Sequence, residues 1–426
     1  MRSGYVGQDR LSSAKVVRRQ RDGTVLVQLP LPMLDVMVDV QAEVEQFAAR
    51  CGLLLMQACV ENEVECLAGR RYEHTTERKA YRAGRTSGWA YYAGRKVALP
   101  RQRVRGQEGE VALSSVAAFR QDGRMQRAVA GKVLGGVKMR RYEGCLDAVC
   151  EGYGVKRSSV SRHWGRASAR SLKELAERPL GELELAVLLI DGVRFRDVCV
   201  VVALGVDYRG YKHVLGLYGG ATENAATCQG LLEDLVRRGL APEGKYLFVI
   251  DGSKALRAAV RDTFGEAALV QRCQVHKRRN VREHLPKCYH RALSLRLTRA
   301  WGMQDYADAR AELEKTVRWL EGLSPSAAES LREGLEETLT LHHLEVPGLL
   351  RRSLSSTNLI ESCFSTTRER TRSVKRWRSA DQVLRWAGTM LLEAEKGFRR
   401  VRGHAAMPVL LTKFGLAELD AQGAAA

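Results

Sequence analysis

The sequence lacks the features of a membrane or secreted protein. No run of ~18 or more apolar residues, the length expected of a membrane-spanning helix, occurs in its 426 residues. The segment from Met1 to Asp22 is polar and has no apolar signal-peptide core. The ten cysteines follow no framework spacing, which suits a reducing compartment better than a disulfide scaffold. We therefore expect a cytoplasmic protein with no membrane partner.

Acidic residues are scarce relative to basic ones. The chain has 49 Asp and Glu against 69 Lys and Arg, which gives a formal net charge of +20. This excess favours a nucleic-acid partner, because each phosphate that a cation neutralises releases a condensed counterion. The alternative is a soluble protein from an arginine-rich proteome, which would have the same composition.

Periodicity and composition divide the chain into six regions. Residues 1–68 are predicted to be helical, because apolar residues between Leu34 and Glu65 recur at helical spacing. Residues 69–118 form a small basic β-rich region, and residues 119–180 a region of paired helices. Residues 181–292 and 351–426 form the two parts of an α/β core, with an all-helical insertion at residues 293–350 between them.

The segment from Arg70 to Arg105 combines aromatic and cationic side chains. It holds eleven Arg or Lys against two Glu, and its short alternating runs between glycines predict β-hairpins. Cations interleaved with aromatics suit contacts with nucleic-acid phosphates and bases, and we assign Arg101 and Arg103 to DNA phosphates. An alternative of equal weight is that the aromatics pack one face of a small sheet.

Two helices are predicted around residue 155. One amphipathic helix ends near residues 152–154, and a second begins around Ser158. In a helix-turn-helix the second helix enters the major groove of DNA. Its exposed face would present Ser159, Arg162 and His163. Other helical hairpins with a glycine turn share this pattern, so the assignment depends on the basic charge of the chain.

The order of apolar runs predicts the α/β core. Three strands come first, at Leu185–Ile190, Val198–Val206 and His213–Tyr218. Then follow a helix, a strand, a helix and a strand, at Glu223–Arg238, Tyr246–Ile250, Lys254–Phe264 and Leu269–Cys273. This order describes a mixed sheet flanked by helices.

Two of these strands end in Asp-Gly, at Asp191 and Asp251. A carboxylate at the end of a buried strand is held at the sheet margin, where divalent cations can be shared. Two Mg²⁺ or Mn²⁺ ions a few ångströms apart activate an attacking oxygen and stabilise a leaving one in phosphoryl transfer. A single Asp-Gly often only makes a turn, but two in a sheet of this order favour a two-metal site.

Glu361 is the candidate third ligand. It lies at the start of a long basic helix, whose same face would carry Arg368, Arg372 and Lys375 beside a DNA backbone. Asn358 and Glu361 also match an N-cap residue and its acidic partner. Both interpretations hold only if the carboxylate is free to turn toward the metal.

Cys273 and His276 form a Cys-x-x-His pair at the end of the fifth strand. Structural zinc usually requires two close ligand pairs, and Pro286 would disturb a helical ligand face after this pair. We therefore expect His276 to lie near the metal-binding carboxylates and to orient a phosphate or a water molecule.

Four stretches of the chain are specific when taken together. They begin at Leu189 (Leu-Ile-Asp-Gly-Val-Arg-Phe), Phe248 (Phe-Val-Ile-Asp-Gly-Ser-Lys-Ala-Leu), Gln271 (Gln-Arg-Cys-Gln-Val-His-Lys-Arg-Arg-Asn) and Ser356 (Ser-Thr-Asn-Leu-Ile-Glu-Ser). In sequence and order they resemble the mutator-type transposases of bacterial insertion sequences, which are related to eukaryotic Mutator-like elements. The resemblance covers roughly residues 70–410.

The resemblance implies a ribonuclease H-like core with an Asp-Asp-Glu triad at Asp191, Asp251 and Glu361. An all-helical insertion separates the glutamate from the second aspartate, and Cys273, His276 and Asn358 match signature positions. It also implies an enzyme that binds inverted repeats of double-stranded DNA, cleaves a strand to leave a 3′-OH and joins that end to target DNA. We expect a homodimer or larger homo-oligomer on DNA, at the bacterial nucleoid.

Two other functions compete with this one. A structure-specific DNA endonuclease on the same fold would keep the triad but would not need the helix-turn-helix. A non-catalytic regulator derived from a transposase would not need the triad. Short inverted repeats flanking the gene would favour a transposase over both.

Overall fold

The computed structural model describes residues 15–19, 25–28, 44–72, 80–146, 152–153, 155–195, 197–220, 222, 224–266, 268–372, 374 and 376–416. Two compact units, Met1–Ala167 and Ser168–Ala426, make up the chain. The finer division into six regions stays a prediction. No helix of the described segments combines the length and apolar character needed to cross a membrane.

Three small antiparallel sheets and the helices packed on them form the first unit. The sheets are β1 (Lys15–Arg19) with β2 (Val25–Gln28), β3 (Ala80–Thr86) with β6 (Arg101–Gly106) and β7 (Gly109–Val111), and β4 (Trp89–Tyr92) with β5 (Arg95–Ala98) and β8 (Gly152–Tyr153). The helices along this part of the chain are α1 (Val44–Ala68), α2 (Ser114–Phe119), α3 (Asp122–Leu134) and α4 (Arg157–Glu177). Val60 and Val64 of α1 share a core with Ala90, Val97 and Val104 of the sheets.

Two predictions for this unit are wrong. The first helix of the expected pair is absent from the described residues, where 3-10 turns at Met139–Arg141 and Glu143–Cys145 precede β8. Gly152 and Tyr153, where the predicted helix would end, instead pair with β5. His163 is only 6% exposed. Val160 and Trp164 face the interior, and the helical repeat places His163 on the same side.

The second unit contains a five-stranded mixed sheet in the order β11-β10-β9-β12-β13. Its strands are β9 (Leu185–Phe195), β10 (Val198–Asp207), β11 (Lys212–Gly220), β12 (Leu247–Ile250) and β13 (Leu269–Arg272). The first three are antiparallel neighbours, and β12 is parallel to both β9 and β13. The fold is therefore mixed α/β, as the order of apolar runs predicts.

Helices cover both faces of this sheet. On one face lie α5 (Ala225–Arg237) and α6 (Lys254–Phe264), whose Leu231 and Leu256 share a core with Leu188 and Ile190 of β9. On the other face lie α13 (Asn358–Thr371) and α14 (Ala380–Glu395), whose core includes Leu189 and Val193 of β9. Because strand side chains alternate between faces, Asp191 points to the side of α13.

A group of helices lies in the sequence between β13 and α13. Its helices are α7 (Gln274–Glu283), α8 (His290–Gly302), α9 (Tyr306–Glu321), α10 (Pro325–Arg332), α11 (Thr340–His343) and α12 (Gly348–Leu354). Leu297, Leu313 and Leu331 belong to its own core. A last helix, α15 (Met407–Lys413), ends the described chain.

Two predictions for the second unit also need correction. Asp191 does not end its strand, because β9 continues to Phe195 and Asp191 pairs with Val202 of β10. Only the parallel pairing with β12 stops at Ile190. The basic helix ends at Thr371, so Arg372 follows it and the four-turn stripe does not form. Lys375 lies outside the described residues. Charge periodicity marks a helix face but does not specify where the helix ends.

Candidate active site

Three parallel strands bring the candidate residues to one level of the sheet. Ile190 of β9 is in register with Ile250 of β12, which is in register with Arg272 of β13. The next residues along these strands are Asp191, Asp251 and Cys273. The Cys273 N–H donates to the carbonyl oxygen of Ile250 at 2.7 Å, which extends the pairing by one residue.

Asp191 is a buried carboxyl group in an anionic neighbourhood. It is 7% exposed, and the Gly192 N–H donates to its Oδ1 at 2.8 Å. Burial raises the pKa of Asp191 to about 6, and the charges of Asp251 and Glu361 also raise it, against the effect of His276. A divalent cation would supply the positive charge that the ionised form requires.

Backbone contacts hold Asp251 in place. The N–H of Ser253 donates to Asp251 Oδ1 at 2.8 Å. Ser253 is itself the N-cap of α6, because its hydroxyl oxygen accepts from the N–H of Leu256 at 3.3 Å. The carboxylate is therefore anchored to the first turn of α6, next to the strand that carries Asp191.

Glu361 reaches the sheet from the first turn of α13. Ligand atoms of Asp191, His276 and Glu361 all lie within 4.8 Å of one another. His276 Nε2 is 3.4 Å from Glu361 Oε1. Among the described residues Asp251 is not part of this set, although its charge affects the pKa of both Asp191 and His276. Side chains from three distant parts of the chain therefore converge.

The N-cap interpretation of Asn358 is wrong. Thr357 is the N-cap of α13, Asn358 is the first helical residue, and the N-cap side chain makes no capping hydrogen bond. The hydroxyl of Thr357 instead lies 3.6 Å from Cys273 Sγ and 3.4 Å from His276 Nδ1. Glu361 is consequently not held in a capping box, and its carboxylate turns toward His276.

Cys273, His276 and Thr357 form a buried cluster beneath the carboxylates. The Thr357 N–H also donates to Cys273 Sγ, at 3.4 Å. A hydrogen bond with Cys273 and the charges of Cys273, Asp191 and Asp251 raise the pKa of His276 to about 9, against the effect of burial. His276 therefore lies beside the carboxylates, and Cys273 contributes to its environment.

The sequence patterns did not identify Thr357 or Arg279 as site residues. Arg279 Nη1 lies 3.9 Å from Glu361 Oε1, on the exposed side of the cluster. A signal was available for Arg279, because it follows His276 by three residues and so shares its helix face. No local pattern marked Thr357, whose contacts are to residues more than eighty positions away.

The residues assigned to DNA contact lie apart from this cluster in the chain. Arg101 and Arg103 of β6 both pair with Glu110, at 2.5 and 3.3 Å. On α4, Arg162 is exposed and Ser159 is half-buried, whereas the ring of His163 packs edge-on against Tyr91 with centroids 5.8 Å apart. Arg368 is exposed on α13, and Arg372 is exposed just beyond its end.

Comparison with known proteins identifies the family. The family described as "Transposase, Mutator family" matches residues 35–401. The transposase for insertion sequence element ISRM5 of Rhizobium meliloti (strain 1021) is 28% identical over 363 residues, 81% of this chain and 86% of the relative. The transposase for element IST2 of Acidithiobacillus ferrooxidans is 30% identical over 241 residues, 54% of this chain and 80% of the relative. The transposase for IS256 in transposon Tn4001 of Staphylococcus aureus is 25% identical over 351 residues, 78% of this chain and 86% of the relative. With a family match over most of its length, this chain belongs to the Mutator family of transposases.

Proposed function

We propose that this protein is a DNA transposase that cleaves a strand at the ends of its element and joins the resulting 3′-OH to target DNA. The relatives above are named as transposases for insertion sequence elements, which supports the proposal. The observation that carries it is the convergence of Asp191, His276 and Glu361 within 4.8 Å, beside Asp251 on the neighbouring strand. Two carboxylates separated by 170 residues of chain meet on the face of the sheet that α13 covers.

The sheet supports a ribonuclease H-like core. Its order places three antiparallel strands first and two parallel strands after them, with helices on both faces. In this arrangement Asp191 belongs to the central strand, Asp251 follows its parallel neighbour, and Glu361 comes from a helix packed on the sheet. This arrangement supports the proposed triad.

The donor set fits magnesium or manganese. Carboxylate oxygens are hard ligands suited to both ions, and a neighbouring imidazole is compatible with manganese. Two such ions, when bound, would activate the attacking oxygen and stabilise the leaving oxygen of a phosphodiester. Asp191, Asp251 and Glu361 would hold them. His276 and Arg279 would orient the phosphate from the side of α7, since both approach Glu361.

DNA contact is assigned to three groups of residues. Arg162 and Ser159 on α4 would contact bases. The preceding helix, α3, contacts α4 through the Asp122–Arg166 pair, but residues 135–156 separate the two helices in place of the short turn of a helix-turn-helix. Arg101 and Arg103 would contact phosphates after exchanging Glu110 for DNA. Arg368 and Arg372 would follow the backbone beyond Glu361. We expect a homo-oligomer, because two element ends must be joined together.

The triad is tested by substitutions that remove charge and keep shape. Asp191→Asn, Asp251→Asn and Glu361→Gln should each abolish cleavage and joining of a duplex that carries the DNA flanking the gene, with Mg²⁺ or Mn²⁺ present. DNA affinity should be nearly unchanged, because binding depends on cations elsewhere. Products are separated on a denaturing gel, and affinity is measured by fluorescence anisotropy.

Glu369→Gln is the matched control, because Glu369 is an exposed acid on the same helix. It should cleave and join like the wild type. Normal strand transfer by Glu361→Gln would contradict the triad. Cleavage by the wild type of branched DNA regardless of sequence, without joining, would favour a structure-specific endonuclease instead.

A further inference from the structure

A cavity of about 540 Å³ lies beside Asp251, between α6 and the turn that follows α10. Its volume falls within the range of roughly 300–1,000 Å³ typical of ligand sites. It extends away from the Asp251 carboxylate along α6 and is bounded on the other side by residues 332–337. The proposed chemistry of the triad does not use it.

One face of α6 lines this cavity with cations. Lys254, Arg257 and Arg261 are spaced three and four residues apart, so they project from the same side of the helix. They span about 10 Å along the helix axis at 1.5 Å per residue. That distance corresponds to about three phosphates of a DNA strand at roughly 3.4 Å each. The row begins next to Ser253, whose N–H is bonded to Asp251.

Two buried cations lie at the opposite wall, which also carries Glu333, Glu336 and Glu337. The Arg272 side chain is 6% exposed and lines the cavity, and its Nε has no hydrogen-bond partner among the described residues. Lys277 is fully buried behind it and donates to the carbonyl oxygen of Ser330 at 2.6 Å. Both lie within 4 Å of a single carboxylate, that of Glu333, which is half-exposed. Glu333 is the carboxylate within 4 Å of both cations, and the charge of Glu337 also acts on Lys277.

Two glycines shape this wall. A Cβ at Gly252 or at Gly334 would come within 2.3 Å of the Arg272 guanidinium nitrogens. Gly334 also has a φ of +66°, which L side chains rarely adopt. The backbone on both sides therefore approaches the guanidinium as closely as glycine permits.

The remaining charges leave room for an anion. The other glutamates of the lining are already paired, Glu266 with Arg261, Glu336 with Arg310 and Glu337 with Arg257. Lys254 is exposed and has no ion pair with any residue that the structure describes. None of the described residues that line the cavity is aromatic, so they offer a base no stacking platform. These features favour phosphate over a base.

We propose that this cavity is a second DNA-binding site, which holds backbone phosphates of the strand that continues from the phosphodiester cut beside Asp251. Lys254 contacts the first of these phosphates. Arg257 contacts the next after exchanging the Glu337 carboxylate for DNA, because Glu337 is its partner at 2.5 Å in this structure. This inference rests on the proposed function, which supplies the DNA substrate.

The test measures binding without cleavage. Full-length protein is titrated into a labelled 12-nucleotide oligothymidylate in the absence of divalent metal, at several salt concentrations. The double variant Lys254→Gln, Arg257→Gln should bind more weakly. Its plot of log affinity against log salt should be shallower by about 1.4, since each lost contact with a single strand removes about 0.7. The double variant Lys315→Gln, Arg318→Gln removes two cations from an exposed face of α9. Its affinity for the oligonucleotide and the salt dependence of that affinity should match those of the wild type.

A second variant should act in the opposite direction. Glu337→Gln removes the acidic partner of Arg257 and so raises the local net charge by one. The affinity of this variant for the oligonucleotide should rise severalfold, a result that misfolding would not produce. Inorganic phosphate at constant ionic strength should compete only weakly, because it reaches one position where a strand occupies several. Efficient competition would indicate a free-phosphate site and overturn the proposal.

Failure of this inference is distinguishable from failure of the proposed function. The cavity does not bind a DNA strand if the Lys254→Gln, Arg257→Gln variant loses no more affinity than the control on α9. The same conclusion follows if Glu337→Gln binds the oligonucleotide no better than the wild type. Those results do not depend on cleavage. A wild-type protein that neither cleaves nor joins flanking DNA would instead contradict the proposed function.

Discussion

Thr357 is in contact with both members of the Cys-x-x-His pair and begins the helix that carries Glu361. Its side chain is fully buried, and its carbonyl oxygen accepts from the Glu361 N–H at 2.9 Å. The N–H of Gln274 donates to the carbonyl oxygen of Ser355 at 2.9 Å, so the starts of α7 and α13 are tied together. Thr357 thus acts as a positioning residue, through His276 and Glu361.

Removing the Thr357 hydroxyl should impair catalysis more than folding. Thr357→Val keeps the branched shape but takes the partner from His276 Nδ1, and outer-shell changes of this kind typically cost about 10–100-fold in activity or metal affinity. Thr357→Ser should restore most of the cleavage rate. Mn²⁺ affinity is measured together with the rate, because a purely structural defect would not be rescued by serine and would not alter metal binding.

Thr367→Val is the matched control for this experiment. Thr367 is buried on the same helix, and its hydroxyl donates to the carbonyl oxygen of Cys363 at 2.9 Å. We expect this variant to lose some thermal stability and to keep the metal affinity of the wild type. If both valine variants lower metal affinity equally, Thr357 has no special positioning role.

At the scale of elements, two neighbouring residues of α4 lie in different environments. Arg162 is exposed, whereas His163 lies in the interior between Val160 and Trp164. Burial lowers the pKa of His163, with nearby arginines acting in the same direction. A neutral histidine packed on Tyr91 stabilises the first unit and is not available to DNA.

Substitutions at these two positions should therefore have opposite consequences. Arg162→Ala should relax the preference for element ends by about 1–3 kcal/mol, the value of a good base contact, and leave thermal stability unchanged. His163→Ala should destabilise the protein by about 1–3 kcal/mol and leave the ratio of specific to random DNA binding unchanged. Calorimetry and competition binding measure the two effects. An unchanged ratio for Arg162→Ala would exclude Arg162 from base recognition.

At the scale of the whole molecule, the burial of Asp191 links pH to stability, and we expect a bound metal ion to change that dependence. The pKa of Asp191 is raised from 3.8 to about 6, chiefly by burial, so the folded protein favours its neutral form. The stability that the neutral carboxyl group provides is fully present below the pKa of 3.8 in the unfolded chain. It is lost as the pH rises through the pKa of about 6 in the folded protein. At pH 7 and without metal, the ionised carboxylate therefore costs on the order of 1–3 kcal/mol.

Bound metal should decide whether the wild type or the Asp191→Asn variant is the more stable protein. Without metal at pH 7 the variant should unfold at a higher temperature than the wild type, and the difference should narrow at pH 5. Saturating Mn²⁺ should stabilise the wild type by about 2.7 kcal/mol at a hundred times Kd and have little effect on the variant. Calorimetry in EDTA and in Mn²⁺ measures both states.

Asp262→Asn controls for the loss of an acid elsewhere, because Asp262 is an exposed residue of α6. It should respond to Mn²⁺ like the wild type. An Asp191→Asn protein that gains as much from Mn²⁺ as the wild type would place the metal away from Asp191.

Local patterns in the sequence determined the order of the core elements and the candidate acids. Apolar runs and their spacing depend on neighbouring residues, so they predicted β10 through β13 and the helices α5 and α6 to within about two residues, and the start but not the end of β9. The Asp-Gly pairs and the Ser-Thr-Asn-Leu-Ile-Glu stretch are equally local, and they indicated Asp191, Asp251 and Glu361 as the candidate acids.

Only the tertiary structure decided which residues meet. The convergence of Glu361 with Asp191 and His276, the role of Thr357 and the cavity beside Asp251 all depend on contacts between residues far apart in the chain. The inward position of His163 and the pairing of β8 with β5 depend on what packs beside them. Hydrogen bonding and burial between distant segments override local preference at these points, because the free energy of packing exceeds that of propensity.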